Sequence, residues 1–264
     1  MIPLNTIYKI DCLQGMEMVD DKSVDMILCD LPYGTTACKW DTIIPFDKLW
    51  KQYERIIKDT GVIVLNGTQP FTSKLIMSKI DLFKYVFYWK KNNAPNYPHA
   101  KNMPLKIIEE IIVFSKGKIG HISQLKDKRM TYNPQGTEKC HYKRKGDRGT
   151  ANEDLYIRPS HKGIQTITQK GFPNNLLEFH YDYKEQIHPT QKPIKLFEYL
   201  IKTFSKEGDL VLDNCIGSGT TAIVCKRNNR NFIGIEKEKT YVELAERRLY
   251  QNTLSEVSGN SSHN

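Results

Sequence analysis

An acid and an aromatic residue flank a rigid corner, Asp30-Leu31-Pro32-Tyr33, at the end of the apolar run "VDMILCD" (24–30). Pro32 fixes its own backbone angle, Asp30 supplies a hydrogen-bond acceptor and Tyr33 an apolar face with a polar tip. The chemistry on offer is a carboxylate held beside a ring at a strand end. Taken alone, the same four residues also describe an ordinary turn. A second constellation lies in "DLVLDNCIGSGTTAIVCKRNNRNFIGIEKE" (209–238), where a strand runs into Gly217-Ser218-Gly219, a helix follows, and another strand closes on Glu236. Glycines let the backbone pass tightly under a ligand at a helix N-terminus. An acid ending the next strand can accept hydrogen bonds from two ribose hydroxyls.

The glycine loop admits more than one ligand. Gly217, Gly219 and Ala222 satisfy the G-x-G-x-x-A pattern of dinucleotide sites. Four residues, Asp213, Asn214, Cys215 and Ile216, separate the strand from the first glycine, however. The Asp213 carboxylate would repel a pyrophosphate and attract the cationic methionine moiety of S-adenosylmethionine. A Walker-type phosphate loop is excluded, because no Gly-Lys-Ser/Thr follows.

Positioning these residues requires strands that end where they lie. Short apolar runs at 6–11, 24–30, 61–67, 209–215 and 231–236 read as buried parallel strands. Helical spacing appears at 46–61, 192–208, 219–229 and 239–253, with Gly61 and Gly208 as helix stops. The alternation predicts an α/β domain on a mostly parallel sheet. Two further runs, 84–91 and 109–118, have no long helix between them and read as an antiparallel pair. From 119 to 185 apolar periodicity fades into Lys, Arg, Tyr, His and Gly, as in "KCHYKRKGDRG" (139–149), and this segment reads as an insertion with a binding role. The tail 255–264 reads as disordered.

With 264 residues, the chain is long enough for one substantial core. Its formal charge of +9 favours a polyanionic partner. Six cysteines without a Cys-x-x-Cys pair give neither a zinc-like spacing nor a disulfide framework, so no metal is expected. The N-terminus lacks a secretory pattern, and no apolar run is long enough to span a bilayer, so a cytosolic location is expected.

Taken together, the two constellations resemble those of the amino-methylating DNA methyltransferases, which move a methyl group from S-adenosylmethionine to an exocyclic base nitrogen. The family tetrapeptide Asp/Asn/Ser-Pro-Pro-Tyr/Phe/Trp appears as Asp30-Leu31-Pro32-Tyr33. Its cofactor loop Asp-x-Phe-x-Gly-x-Gly-Thr appears as Asp213 to Thr220, with Ser218 and Gly219 inside it and Thr221 next. Tetrapeptide first and cofactor loop last is similar to the permuted β group. Leu31 replaces the first family Pro, and Cys215 replaces the customary Phe.

The resemblance implies a Rossmann-like methyltransferase fold, with residues 1–118 as the catalytic half, 119–185 as an inserted target-recognition region and 186–254 as the cofactor half. It also implies roles for further residues. Asp11 and Cys12 in "IDCLQGM" would meet the cofactor adenine. Thr190, Gln191 and Lys192 in "HPTQKP" would reach the methionine carboxylate, and Glu236 would hold the ribose. "GTTACKWD" (34–41) is similar to the loop that closes over the target base. Asp at the tetrapeptide's first position leans toward adenine N6 over cytosine N4. The implied partner is double-stranded DNA, with Lys143, Arg144, Lys145 and Arg148 of the insert on phosphates and Tyr132, His141 and Tyr142 interleaved; a homodimer is compatible with the β group. Methylation of RNA or protein, and a non-catalytic nucleic-acid-binding relative, are the competing readings.

Overall fold

The computed structural model describes residues 2–35, 38, 41–146, 163–181 and 191–259. In chain order its elements are β1 (Thr6–Lys9), α1 (Cys12–Glu17), β2 (Val24–Cys29), α2 (Phe46–Ile56), β3 (Ile57–Gly67), α3 (Phe71–Ser78), β4 (Phe83–Lys90), β5 (Ile108–Ser115), α4 (Ile122–Leu125), β6 (Glu138–Gly146), β7 (Gly163–Lys170), β8 (Leu176–Glu178), α5 (Ile194–Phe204), β9 (Leu210–Asp213), α6 (Thr220–Arg227), β10 (Asn231–Glu236) and α7 (Lys239–Gly259). They form two compact units, one of residues 1–133 with 175–264 and one of Pro134–Asn174.

The larger unit carries an eight-stranded sheet ordered β1-β10-β9-β2-β3-β5-β4-β8. It is parallel except where β5 runs against β3 and β4, which matches the expected α/β class and its antiparallel pair. Period-two alternation along β3 sends Val62 and Val64 to one face and Ile63 and Leu65 to the other. α5, α6 and α7 cover the first face through Leu200, Val224 and Ala245. α1, α2 and α3 cover the second through Met16, Tyr53 and Leu75. Strand order reverses between β9 and β2, and in open α/β sheets the crevice beyond the strand ends at such a reversal takes the ligand.

Helices α2, α5 and α7 differ from their expected extents, α5 stopping at Phe204, short of Gly208. Helical spacing predicts 46–61, but α2 stops at Ile56, and Ile57 enters β3 opposite Val24. Two consecutive β-branched residues favour the strand. Gly61 is not a helix stop: a Cβ there would lie 2.9 Å from the Asp25 carbonyl oxygen and 2.8 Å from the Ile57 side chain. At the C-terminus α7 runs to Gly259, into the segment expected as a tail, and 260–264 lie outside the described residues.

The smaller unit is built on an antiparallel pair, β6 with β7, in which Lys143 stands opposite Thr166. Lys143 is exposed. Arg144 and Lys145 also lie on β6, with side chains outside the description, and Arg148 lies outside the described residues. No helix among the described residues is long and apolar enough to cross a membrane.

Candidate active site

The two constellations, far apart in sequence, meet at adjacent strand tips. β2 pairs with β9 through Met26 opposite Val211 and Ile27 opposite Leu212, so Asp30 and Asp213 leave the sheet side by side. Asp25 fixes this seam by accepting the Leu210 N–H at 3.0 Å and pairing with Lys58 at 2.6 Å. Above the tips opens a cleft of about 530 Å³. Asp11, Cys12, Asp30, Leu31, Pro32 and Tyr33 line one part of it. Gln191, Lys192, Asp213, Asn214, Cys215, Gly217, Ser218, Thr220, Thr221 and Glu236 line another part. Thr190 lies outside the described residues, and Gly219 is not one of the lining residues.

The glycine loop is held by its own acids. Gly217 and Gly219 both take positive φ, 50° and 81°. A Cβ on Gly219 would also lie 2.8 Å from the Ala245 Cβ on α7. Gly219→Ala therefore combines left-handed strain with overpacking and is expected to destabilise the fold by about 2–4 kcal/mol in urea unfolding. Wild-type stability would show that α7 yields without cost. Glu236 accepts the Gly217 N–H at 3.0 Å and the Glu238 N–H at 2.9 Å, and burial raises its carboxyl above the usual range. Asp213, 4 % exposed, accepts the Thr221 hydroxyl at 2.5 Å and the Cys215 N–H at 3.2 Å. Burial pushes the Asp213 carboxyl up to about 7 against those two bonds. Asp11 caps α1 by accepting the Leu13 N–H at 2.9 Å, and the buried Tyr53 of α2 donates to Asn214 Oδ1 at 2.6 Å.

At the corner, Leu31 is buried and anchors the turn. The Tyr33 ring lies 5.0 Å from that of Phe71, and its hydroxyl donates to Asp30 Oδ1 at 2.5 Å. Asp30 Oδ2 pairs with Lys192 at 3.1 Å. Burial raises the Asp30 carboxyl, and the Lys192 ammonium opposes that rise. Asp41 accepts the N–H groups of Gly34 and Thr35 at 2.8 and 2.9 Å, tying down the start of the segment that follows the corner. Cys12 and Cys215 share a thiol contact that raises the Cys12 thiol, and burial pushes Cys29 up to about 12. These two thiols stay protonated and are poor nucleophiles at neutral pH.

The sequence reading missed Glu109. It sits on β5 opposite Trp89, is 7 % exposed, and forms an ion pair with Lys192. The available signal was alternation: Glu109, Ile111 and Val113 share one strand face, and the other two are core. Asp41 and Tyr53 were also missed; each lies in a stretch whose helical or loop reading said nothing of partners.

A family profile described as DNA methylase, N6/N4 methyltransferase, matches residues 24–247. The type II methyltransferase M1.MboII of Moraxella bovis is 29 % identical over 271 residues, covering 93 % of this chain and 96 % of that protein. Among solved structures, the M1.HpyAVI–SAM complex is 24 % identical with a TM-score of 0.59, covering 92 % and 99 % of the two chains. The PvuII cytosine-N4-specific DNA methyltransferase is 18 % identical with a TM-score of 0.65, covering 92 % and 85 %. At those identities the two structures speak to the fold alone. The profile match spans both the Asp30 corner and the Gly217 loop, and the chain belongs to the N6/N4 family of DNA methylases.

Proposed function

We propose that this protein methylates the N6 amino group of adenine in double-stranded DNA, using S-adenosylmethionine and a base turned out of the helix. The observation that carries the reading is the juxtaposition of the Asp30–Tyr33 corner and the Asp213–Thr220 loop on one cleft. The cleft's about 530 Å³ lies within the range of small-molecule sites. Its chemistry suits the cofactor: Asp11, Asp213 and Glu236 surround the glycine loop, a set that favours a cation and a ribose over a pyrophosphate. When bound, S-adenosylmethionine supplies an electrophilic methyl group.

In this reading Asp11 and Cys12 contact adenine and Glu236 the ribose. Asp213, Asn214, Cys215, Gly217, Ser218, Gly219, Thr220 and Thr221 form the cradle, and Thr190, Gln191 and Lys192 reach the methionine carboxylate. The exocyclic nitrogen of adenine is a weak nucleophile because its lone pair is delocalised into the ring. Asp30 accepts one of its N–H groups and the Leu31 carbonyl the other, which localises the lone pair and stabilises the positive charge that develops there. The base must displace the Tyr33 hydroxyl from Asp30 Oδ1 or share that oxygen with it. Tyr33 stacks on the extruded base, whose unstacking the protein must offset.

The test is transfer of labelled methyl groups to DNA, RNA and protein offered together, followed by nucleoside analysis of the labelled product. N6-methyladenine in DNA is expected. N4-methylcytosine would reassign the base, and label confined to RNA or protein would overturn the DNA substrate. Lys143, Arg144, Lys145 and Arg148 are proposed phosphate contacts. Neutralising all four is expected to weaken DNA binding about 10-fold or more and to flatten its salt dependence, with cofactor binding unchanged by calorimetry.

A further inference from the structure

We infer that Lys192 and Glu109 form a buried charge relay that positions Asp30 for the incoming base, so that Lys192 serves the acceptor as well as the cofactor. This rests on the reading of Asp30 as the base acceptor. Lys192, 9 % exposed, lies between two carboxylates: its Nζ is 3.1 Å from Asp30 Oδ2 and is paired with Glu109 Oε1. Glu109 also meets Lys91 at 3.5 Å through its other oxygen. The Trp89 ring, with its centroid 5.9 Å from Nζ, walls the ammonium. Two acids and two lysines thus make a charge-balanced row from Lys91 to Asp30.

Burying such a row is costly, and apolar residues of similar volume would often hold the fold as well or better. Its geometry has a use at the corner. Tyr33 takes Oδ1 of Asp30 and Lys192 takes Oδ2, so the carboxylate plane is fixed before a base arrives. An ammonium has three N–H donors, and two carboxylates leave one for the methionine carboxylate. Lys192 would then couple the cofactor's tail to the orientation of the acceptor. The titratable groups facing Asp30 are Cys29 and Tyr33 of its own segment, Asp213 of β9, Glu109 of β5 and Lys192 ahead of α5. Lys91 and Tyr181 act one step removed, through Glu109 and Lys192.

Lys192→Met, Lys192→Arg and Glu109→Gln separate a positioning role from plain structural support. Transfer needs Asp30 ionised, so the rate rises with pH through the titration of that group. Removing the cation should move this acidic limb to higher pH by about one unit or more, and lower kcat more than 10-fold at neutral pH. Removing the Glu109 charge should move the limb to lower pH, and Lys192→Arg should restore it. Carboxylate NMR of the cofactor-free protein, with Asp30 assigned by Asp30→Asn, reads the same titration without turnover. Opposite shifts in both readouts support the relay. An unmoved Asp30 titration overturns it, as does a Lys192→Met defect confined to cofactor affinity. A titration that moves as expected while the pH–rate profile stays put would instead sink the assignment of Asp30 as acceptor. Should Lys192→Met fail to fold, Glu109→Gln alone decides, through the direction of its shift.

Discussion

Asp30→Ala is expected to lower methyl transfer by about 10³-fold, the scale seen when an oriented electrostatic partner of the transition state is lost. Cofactor affinity should stay within a few-fold of wild type, because Asp11, Asp213, Glu236 and the glycine loop are untouched. The fold should survive. Asp30 is partly exposed, and its loss leaves Lys192 paired with Glu109 rather than buried alone. Single-turnover rates together with calorimetric titration of the cofactor check both halves of this expectation. Residual turnover within 10-fold of wild type would mean that Leu31 or a water suffices as acceptor. A comparable loss of cofactor binding would mean that Asp30 belongs to the cradle.

The second large effect concerns Asp213. Burial pushes its carboxyl up to about 7 in the free protein, whereas an unfolded chain holds it near the ordinary value of about 4. Folding therefore takes up a proton. This contribution to stability is fully present below about pH 4 and is lost as pH rises through 7. Asp213→Asn removes the loss and keeps an oxygen for the Thr221 hydroxyl. The cofactor-free variant should thus exceed wild type at pH 8.5 by roughly 1–4 kcal/mol in urea unfolding, with about half that gap at pH 5.5 and little near pH 4. Binding a cation has the opposite proton balance, since it favours the ionised form. Wild-type affinity for S-adenosylmethionine should rise as pH passes through 7, by at most about tenfold per unit below it, and the variant should bind weakly with a flat profile. A wild-type profile that is flat from pH 6 to 8 would show that Asp213 is not the group that meets the cation.

Much of this architecture could be read from local signals. The run from Val24 to Cys29 and the glycines at 217 and 219 announce a strand tip and a tight loop through residue type alone. β10, Asn231–Glu236, falls on its expected bounds because apolar residues fill it and Arg230 and Lys237 bracket it. What escaped depends on partners distant in the chain. The α2–β3 boundary is decided by Ile57 pairing with Val24, which helical spacing over 46–61 does not encode. Glu109 reads as the polar start of an apolar strand until Lys192, 83 residues later, is brought against it. Asp41 reads as a loop acid until its carboxylate is seen on the amides of Gly34 and Thr35.

The seam between β2 and β9 also bears on how the protein is made. Asp25 and its partner Leu210 are 185 residues apart, and at about 5–20 residues per second a ribosome needs roughly 10–40 s to bridge that interval. During that time Met26, Ile27 and Leu28 have no neighbour on one side, an apolar edge of the kind that recruits other chains. Expression at low temperature or with a holdase chaperone should therefore raise the soluble yield more than any substitution in the cleft.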